Sequence, residues 1–159
     1  MRLSFPLAAA CAAILSLSAC GGGSGDPGSP PVAVSSPAAL KTTDTVLGTG
    51  LDAVAGARVQ VNYTGWLYDA GAADFKGAKF DASSAGHPFT FVVGAVGTSE
   101  SAISGFSQGV QGMKAGGKRT ILIPSGLGYG AQGVPGVIPA NSGLVFEVEL
   151  VKVCGSAAC

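Results

Sequence analysis

Apolar and polar residues alternate most regularly near the C-terminus. In Leu144-Val145-Phe146-Glu147-Val148-Glu149-Leu150-Val151-Lys152-Val153, the side chains of Leu144, Phe146, Val148 and Leu150 fall on one side, with Glu147 and Glu149 on the other. A period of two marks a strand with one buried face. Arg58-Val59-Gln60-Val61-Asn62-Tyr63-Thr64 repeats it, with Val59, Val61 and Tyr63 together. His87-Pro88-Phe89-Thr90-Phe91-Val92-Val93-Gly94 and Lys118-Arg119-Thr120-Ile121-Leu122-Ile123-Pro124 predict two further strands. In one place the period lengthens. Ile103, Phe106, Val110 and Met113 recur at spacings of three, four and three, which predicts a short helix with one apolar stripe. Ser104 is its expected N-cap, and Lys114-Ala115-Gly116-Gly117 its expected end. The packing that buries both patterns is an α+β domain: a twisted antiparallel sheet of four to six strands wrapped around one short helix.

The N-terminus departs from this pattern. Met1-Arg2 carries a positive charge, and residues 3–17 are almost wholly apolar but too short to span a bilayer comfortably. Leu17-Ser18-Ala19-Cys20 closes the run with small residues before a cysteine, so residues 1–19 read as an export signal. The ending resembles the bacterial lipobox, in which the signal is cut just before the cysteine and the thiol is acylated. An ordinary signal peptide cut near Ala19 is the plainer alternative. Residues 20–39, mostly Gly, Pro and Ser over 21–37, cannot bury a core and read as a flexible tether carrying the lipidated Cys20. The folded domain is expected over 40–153, followed by a tail at 154–159.

Composition narrows the function. With 159 residues the chain holds one ordinary domain, and its formal net charge of zero gives no reason to expect nucleic acid as a partner. The 26 glycines favour a turn-rich β protein over a helical bundle. One histidine, no Ser/His/Asp set and no metal-ligand cluster leave no metal or cofactor to expect. Export would place the chain in an oxidising compartment. With Cys11 removed and Cys20 acylated, Cys154 and Cys159 are then candidates for a disulfide, free thiols on a tail being the alternative.

The remaining motifs fall in a recognisable order. Val61-Asn62-Tyr63-Thr64-Gly65-Trp66-Leu67, Lys79-Phe80-Asp81-Ala82-Ser83 and Pro88-Phe89-Thr90-Phe91 come first. Gly105-Phe106-Ser107-Gln108-Gly109-Val110-Gln111-Gly112-Met113-Lys114-Ala115-Gly116 follows. Ile123-Pro124-Ser125-Gly126-Leu127-Gly128-Tyr129-Gly130, Val137-Ile138-Pro139-Ala140-Asn141-Ser142 and the last strand complete the series. Over about residues 45–153 the chain resembles the FKBP-type peptidyl-prolyl cis–trans isomerases.

That resemblance implies a half-open antiparallel sheet curled over a short helix, with an aromatic pocket for a proline ring between them. By motif position Tyr63, Asp81, Phe91, Phe106, Tyr129 and Phe146 match the family's catalytic residues. Phe80, Phe89, Ala102, Ile103 and Ile138 match its binding residues, with the backbone N–H of Ile103 as carbonyl donor. On the residues alone, Tyr63, Phe89, Phe91 and Phe146 read first as plain core, and Asp81 could be a turn or surface carboxylate. The family commonly has Trp at the pocket floor, where Phe106 stands here. Residues 68–78 are longer than in the smallest members, the stretch between Asp81 and Phe89 is one residue shorter, and residues 94–102 carry extra length beside the pocket.

The implied partners are proline-containing polypeptides and macrolides of the tacrolimus or rapamycin type. The membrane would be met through the lipid anchor only, and the chain would be a monomer in the bacterial cell envelope. Gly21, in place of an acidic residue after Cys20, points to an outer membrane facing the periplasm in a diderm host. The chemistry asks for little. Rotation about an X–Pro amide breaks no bond, and its barrier of about 18–20 kcal/mol is the loss of amide resonance. An apolar cavity favours the less polar twisted amide over the planar one. A tethered chaperone module, holding proline segments with little turnover, is the competing reading.

Overall fold

In a computed structural model the described residues are 34–155 and Cys159. The segment expected to be an export signal, Cys20 and most of the expected tether lie outside them. The strands are β1 (Lys41–Val46), β2 (Arg58–Tyr68), β3 (Lys76–Ala82), β4 (Phe89–Val92), β5 (Lys118–Ile123) and β6 (Leu144–Gly155), with one helix, α1 (Ser104–Val110). They form one six-stranded antiparallel sheet in the order β1-β5-β6-β2-β3, with β4 also paired to β2. The α+β architecture expected from the sequence is the one observed.

β2 is the strand on which the site is built. One of its edges pairs with β6 along the whole length. The other edge is shared: β4 pairs with Arg58 to Val61, and β3 with Thr64 to Tyr68. At the changeover the Tyr63 N–H donates to Ser83 Oγ at 3.0 Å and the Ser83 N–H donates to the Tyr63 carbonyl at 3.0 Å. The ladder is thus completed by a serine between strands, and the sheet parts there without leaving the Tyr63 backbone unpaired.

The core lies between the sheet and α1. Val59, Val61, Phe91, Val110, Ile121, Ile123, Leu144 and Leu150 are all buried in it. The helix approaches β5 closely because two of its residues lack a Cβ. A Cβ at Gly105 would strike Ile123, and one at Gly109 would stand 2.5 Å from the Ile121 methyl. Spaced four apart, these glycines share one helix face.

Both ends of the helix and the presence of two strands differ from the sequence reading. The helix has seven residues and begins after Ile103, which makes no side-chain cap. Ser104 lies inside it, its Oγ accepting from Gln108 Nε2 at 3.1 Å. The helix ends at Val110 because Gln111 is extended and Gly112 takes φ +78°, so the stripe through Met113 is only partly helical. β1 escaped the sequence reading because all its residues are exposed and it shows no apolar period. The Asp44 carboxylate, receiving Arg119 Nε at 2.6 Å and Nη2 at 3.0 Å, ties this edge strand to β5. β3 escaped it because a bulge breaks its alternation.

At the front of the domain, Ser35 and Ser36 are already hydrogen-bonded to the sheet's loops, so ordered contacts start before the expected boundary at 40. At the far end Cys154 and Cys159 form a disulfide with Cα atoms 5.3 Å apart.

Candidate active site

The parting of the sheet at Tyr63 opens onto the first turn of α1. Gly65, two residues along β2, lies directly opposite Phe146 on β6. A Cβ there would stand 2.8 Å from both the Phe146 and Phe80 rings, so its absence lets those rings meet over the strand, centroids 5.6 Å apart and planes at 90°. Phe106 packs beneath, 5.0 Å from Phe146 and 5.7 Å from Tyr63, edge to face in each case. Phe89 closes the β4 side, 5.9 Å from Tyr63.

These rings border an open cavity of about 280 Å³. Tyr63, Phe80, Phe89, Phe106 and Phe146 supply its aromatic walls. Asp81, Ser101, Ala102, Ile103 and Tyr129 form the rest of the lining. The size is near the lower end for small-molecule sites and suits one compact ring with its flanking backbone. A wider groove of about 610 Å³ adjoins it at Tyr63 and is lined by Asn62, Thr64, Lys118, Glu147 and Glu149 among others. Its charged and hydroxyl-bearing walls lack the apolar enclosure that an uncharged ring needs.

Neighbouring residues on a strand ordinarily face opposite ways, yet Phe80 and Asp81 both line the cavity. The bulge in β3 is the reason. Gly65 pairs with Asp81 and Trp66 with Lys79, which leaves Phe80 with no opposite number and re-aims the strand. Asp81 then reaches across the parting, and Tyr63 Oη donates to its Oδ2 at 2.6 Å. The other oxygen, Oδ1, accepts from the Ala82 N–H at 2.8 Å. Burial, then the hydrogen bond and charge of Asp81, then Tyr129, hold the Tyr63 phenol well above its ordinary value. Tyr129 is raised as well, by burial first and by Asp81 second. Both phenols therefore stay neutral over the physiological range, and Tyr63 remains a donor.

Ile103 precedes the helix, and its backbone N–H meets no protein acceptor among the described residues. It is an available donor beside an aromatic cavity, as a carbonyl ligand requires.

The chain's similarity to known proteins agrees with this geometry. A family model for FKBP-type peptidyl-prolyl cis-trans isomerase matches residues 50–151. The chain belongs to that family. It is 49% identical over 105 residues to the FK506-binding protein of Neisseria meningitidis serogroup C, covering 65% of this chain and 86% of that protein. It is 47% identical over 108 residues to the peptidyl-prolyl cis-trans isomerase FPR2 of Saccharomyces cerevisiae, covering 67% and 73%. Among solved structures, the peptidyl-prolyl cis-trans isomerase of Pseudomonas syringae pv. tomato superposes with a TM-score of 0.59 at 36% identity, covering 72% of this chain and 74% of that one.

Within this FKBP frame two expected pocket residues sit elsewhere. Phe91 is wholly buried and does not line the cavity. Phe89 pairs with Val61 near the parting, whereas Phe91 pairs with Val59, two residues further into the sheet. Phe91 stacks on Phe89 at 5.5 Å and meets Phe106 edge-on at 5.5 Å, so it backs the wall rather than forming it. Ile138 is buried in the core and bridged to Val134, also outside the lining. Ser101 is the lining residue missed from the sequence. It lies in the lengthened 94–102 segment, which is fastened by Arg58 to Glu100 at 2.6 Å and by the Val92 N–H to the Glu100 carbonyl at 3.0 Å.

A phenol held above its unfolded value of 10.0 contributes stability that is complete below that pH and is lost as pH rises towards the folded value. Ultraviolet titration of the full-length chain should therefore show an ionisation phase well above pH 10.0 that disappears in Tyr63→Phe. A Tyr63 phase at the free-phenol value would contradict the Tyr63–Asp81 hydrogen bond.

Proposed function

We propose that this FKBP-family chain catalyses rotation about X–Pro bonds of exported polypeptides, working from a lipid anchor at Cys20 in the bacterial envelope. The observation that carries the reading is the aromatic cavity at the parting of the sheet, with the Ile103 N–H at its edge. A proline ring on Phe106, between Tyr63, Phe89 and Phe146, would leave water behind on nearly every side. The planar X–Pro amide is the more polar state through its resonance, so removing water raises it relative to the twisted state. The Ile103 N–H would hold a substrate carbonyl while the C–N bond turns. Asp81 acts through Tyr63 by fixing the phenol at the rim. Uncatalysed X–Pro exchange takes tens to hundreds of seconds, slow enough to limit folding.

Export and anchoring rest on the lipobox-like Leu17-Ser18-Ala19-Cys20 and the Gly-rich stretch behind it. Gly21 favours the outer membrane, facing the periplasm, in a diderm host. The domain would work as a monomer on proline-containing segments and take macrolides of the tacrolimus or rapamycin type in the same cavity. Phe106 is smaller than the Trp common in the family, and that is the observation favouring the alternative, a tethered proline-binding chaperone with little turnover.

Protease-coupled exchange of a Leu-Pro or Phe-Pro peptide decides between them. The full-length chain should accelerate exchange, whereas an unchanged rate with folded protein would support the chaperone. Asp81→Ala should lose about tenfold in turnover, the scale of one charge-assisted hydrogen bond, without lowering the melting temperature. Phe91→Ala should instead lose about 3–5 kcal/mol of stability, with activity falling alongside the folded fraction. An Asp81→Ala chain that turns over like the parent would remove Asp81 from the site.

The anchor is tested by cell fractionation. Cys20→Ala should release the chain from membranes, since several acyl chains anchor stably where one is marginal. A Cys20→Ala chain that stays on membranes through a salt wash would exclude the lipobox.

A further inference from the structure

Residues 35–37 cross the start of β6 on bare backbone. A Cβ at Gly143 would stand 2.5 Å from Pro37 Cδ and 2.7 Å from Ser36 Cα. The Ser35 carbonyl accepts from the Gly143 N–H at 2.8 Å. Ser35 Oγ donates to the Tyr68 carbonyl at 2.9 Å and accepts from the Ala70 N–H at 3.3 Å. Ser36 Oγ accepts from the Ser125 N–H at 2.9 Å.

This last contact has a specific consequence. Ser125 opens a 3-10 turn, Ser125–Leu127, whose own N-cap position is Pro124 with no side-chain cap. An opening N–H of such a turn has no partner inside it, and an oxygen from outside must supply one. Ser36 does so from 89 positions away in sequence. The Ser125 carbonyl in turn accepts from the Gly128 N–H at 3.0 Å and the Gly130 N–H at 2.9 Å, the amides on either side of Tyr129. Tyr129 is partly exposed in a glycine-flanked loop, whose other ties are the Gly133 N–H donating to the Tyr129 carbonyl at 3.1 Å and the Asn141 N–H donating to the Gly130 carbonyl at 2.8 Å.

We propose that residues 35–37 are a strap that positions Tyr129 in the cavity wall, with Ser36 as a positioning residue for X–Pro isomerisation. The proposal rests on reading the cavity as the isomerase site. By ordering the loop before substrate arrives, the strap removes an ordering cost from binding and from the transition state. The Ser36 hydroxyl lies at the surface, so water partly replaces it and the effect of its loss is modest.

The test uses the full-length chain and two independent readouts. In Ser36→Ala, kcat/KM should fall about two- to fivefold, the scale of one exposed hydrogen bond, with an unchanged melting temperature. Ser36→Thr should restore it, and Gly143→Ala, which unseats the strap sterically, should reproduce the loss. In a Tyr129→Ala background Ser36→Ala should cost nothing further, because its effect runs through that ring. Hydrogen exchange at the Gly128 and Gly130 amides should quicken in Ser36→Ala whether or not the chain turns over any peptide. Unaltered exchange at those amides, or the same activity loss with and without Tyr129, would overturn the strap. If the parent chain shows no turnover, the reading of the cavity fails, and the amide exchange alone decides whether the strap exists.

Discussion

The sharing of one edge of β2 by two strands is the constraint from which the site follows. β6 covers the opposite edge from Arg58 to Leu67, in unbroken register from Val61 onward, so β2 cannot slip there to close the parting. Because β4 stops pairing at Val61 and β3 starts at Thr64, Tyr63 projects where the sheet divides. Ser83 completes the backbone pairing there, so the division leaves no orphaned polar group at Tyr63. A continuous sheet would have buried Tyr63 among neighbours. A divided one leaves its ring as a wall and its hydroxyl within reach of Asp81.

Missing side-chain atoms matter as much as the rings present. Gly65 lets Phe80 and Phe146 meet, and Gly105 and Gly109 bring α1 against β5, which sets the level of Phe106. Phe106 then touches Tyr63, Phe89, Phe91 and Phe146, all inclined rather than parallel. Inclined aromatic pairs add about 0.5–1.5 kcal/mol each beyond the area they bury. The walls formed by Tyr63, Phe80, Phe106 and Phe146 are consequently packed into the core, so unfolding them would unfold the centre of the domain. Tyr129, on a loop outside this cluster, is the wall residue that needs separate support.

Much of this was legible in the sequence, and the failures have physical causes. The period of two in β2 and β6 was plain because each has a buried and a wet face. β1 has no buried face, and β3 alternates irregularly across its bulge, so period alone could not find either. The family resemblance carried over nine of the ten lining residues, seven of them within the ordered motif blocks. Phe91 and Ile138 were carried over by family resemblance, which fixes neither depth: Phe91 pairs two residues further from the parting than Phe89, and Ile138 lies in a loop bridged to Val134 and buried in the core. Ser101 lies in the lengthened segment between β4 and α1, where no periodic pattern operates. The hydrogen bonds of Ser35 and Ser36 could not be foreseen, since Gly-, Pro- and Ser-rich composition describes a tether equally well.

The central claim is that proline binds in the aromatic cavity beneath the parting. Its most direct test is a nuclear magnetic resonance titration of the isotopically labelled chain with a Leu-Pro peptide. The account predicts proline ring protons in contact with the Phe106 and Tyr63 rings, and a shift of the Ile103 amide as it takes up a carbonyl. Shifts confined to the polar groove around Asn62, Lys118 and Glu149, with Phe106 and Ile103 unmoved, would contradict it.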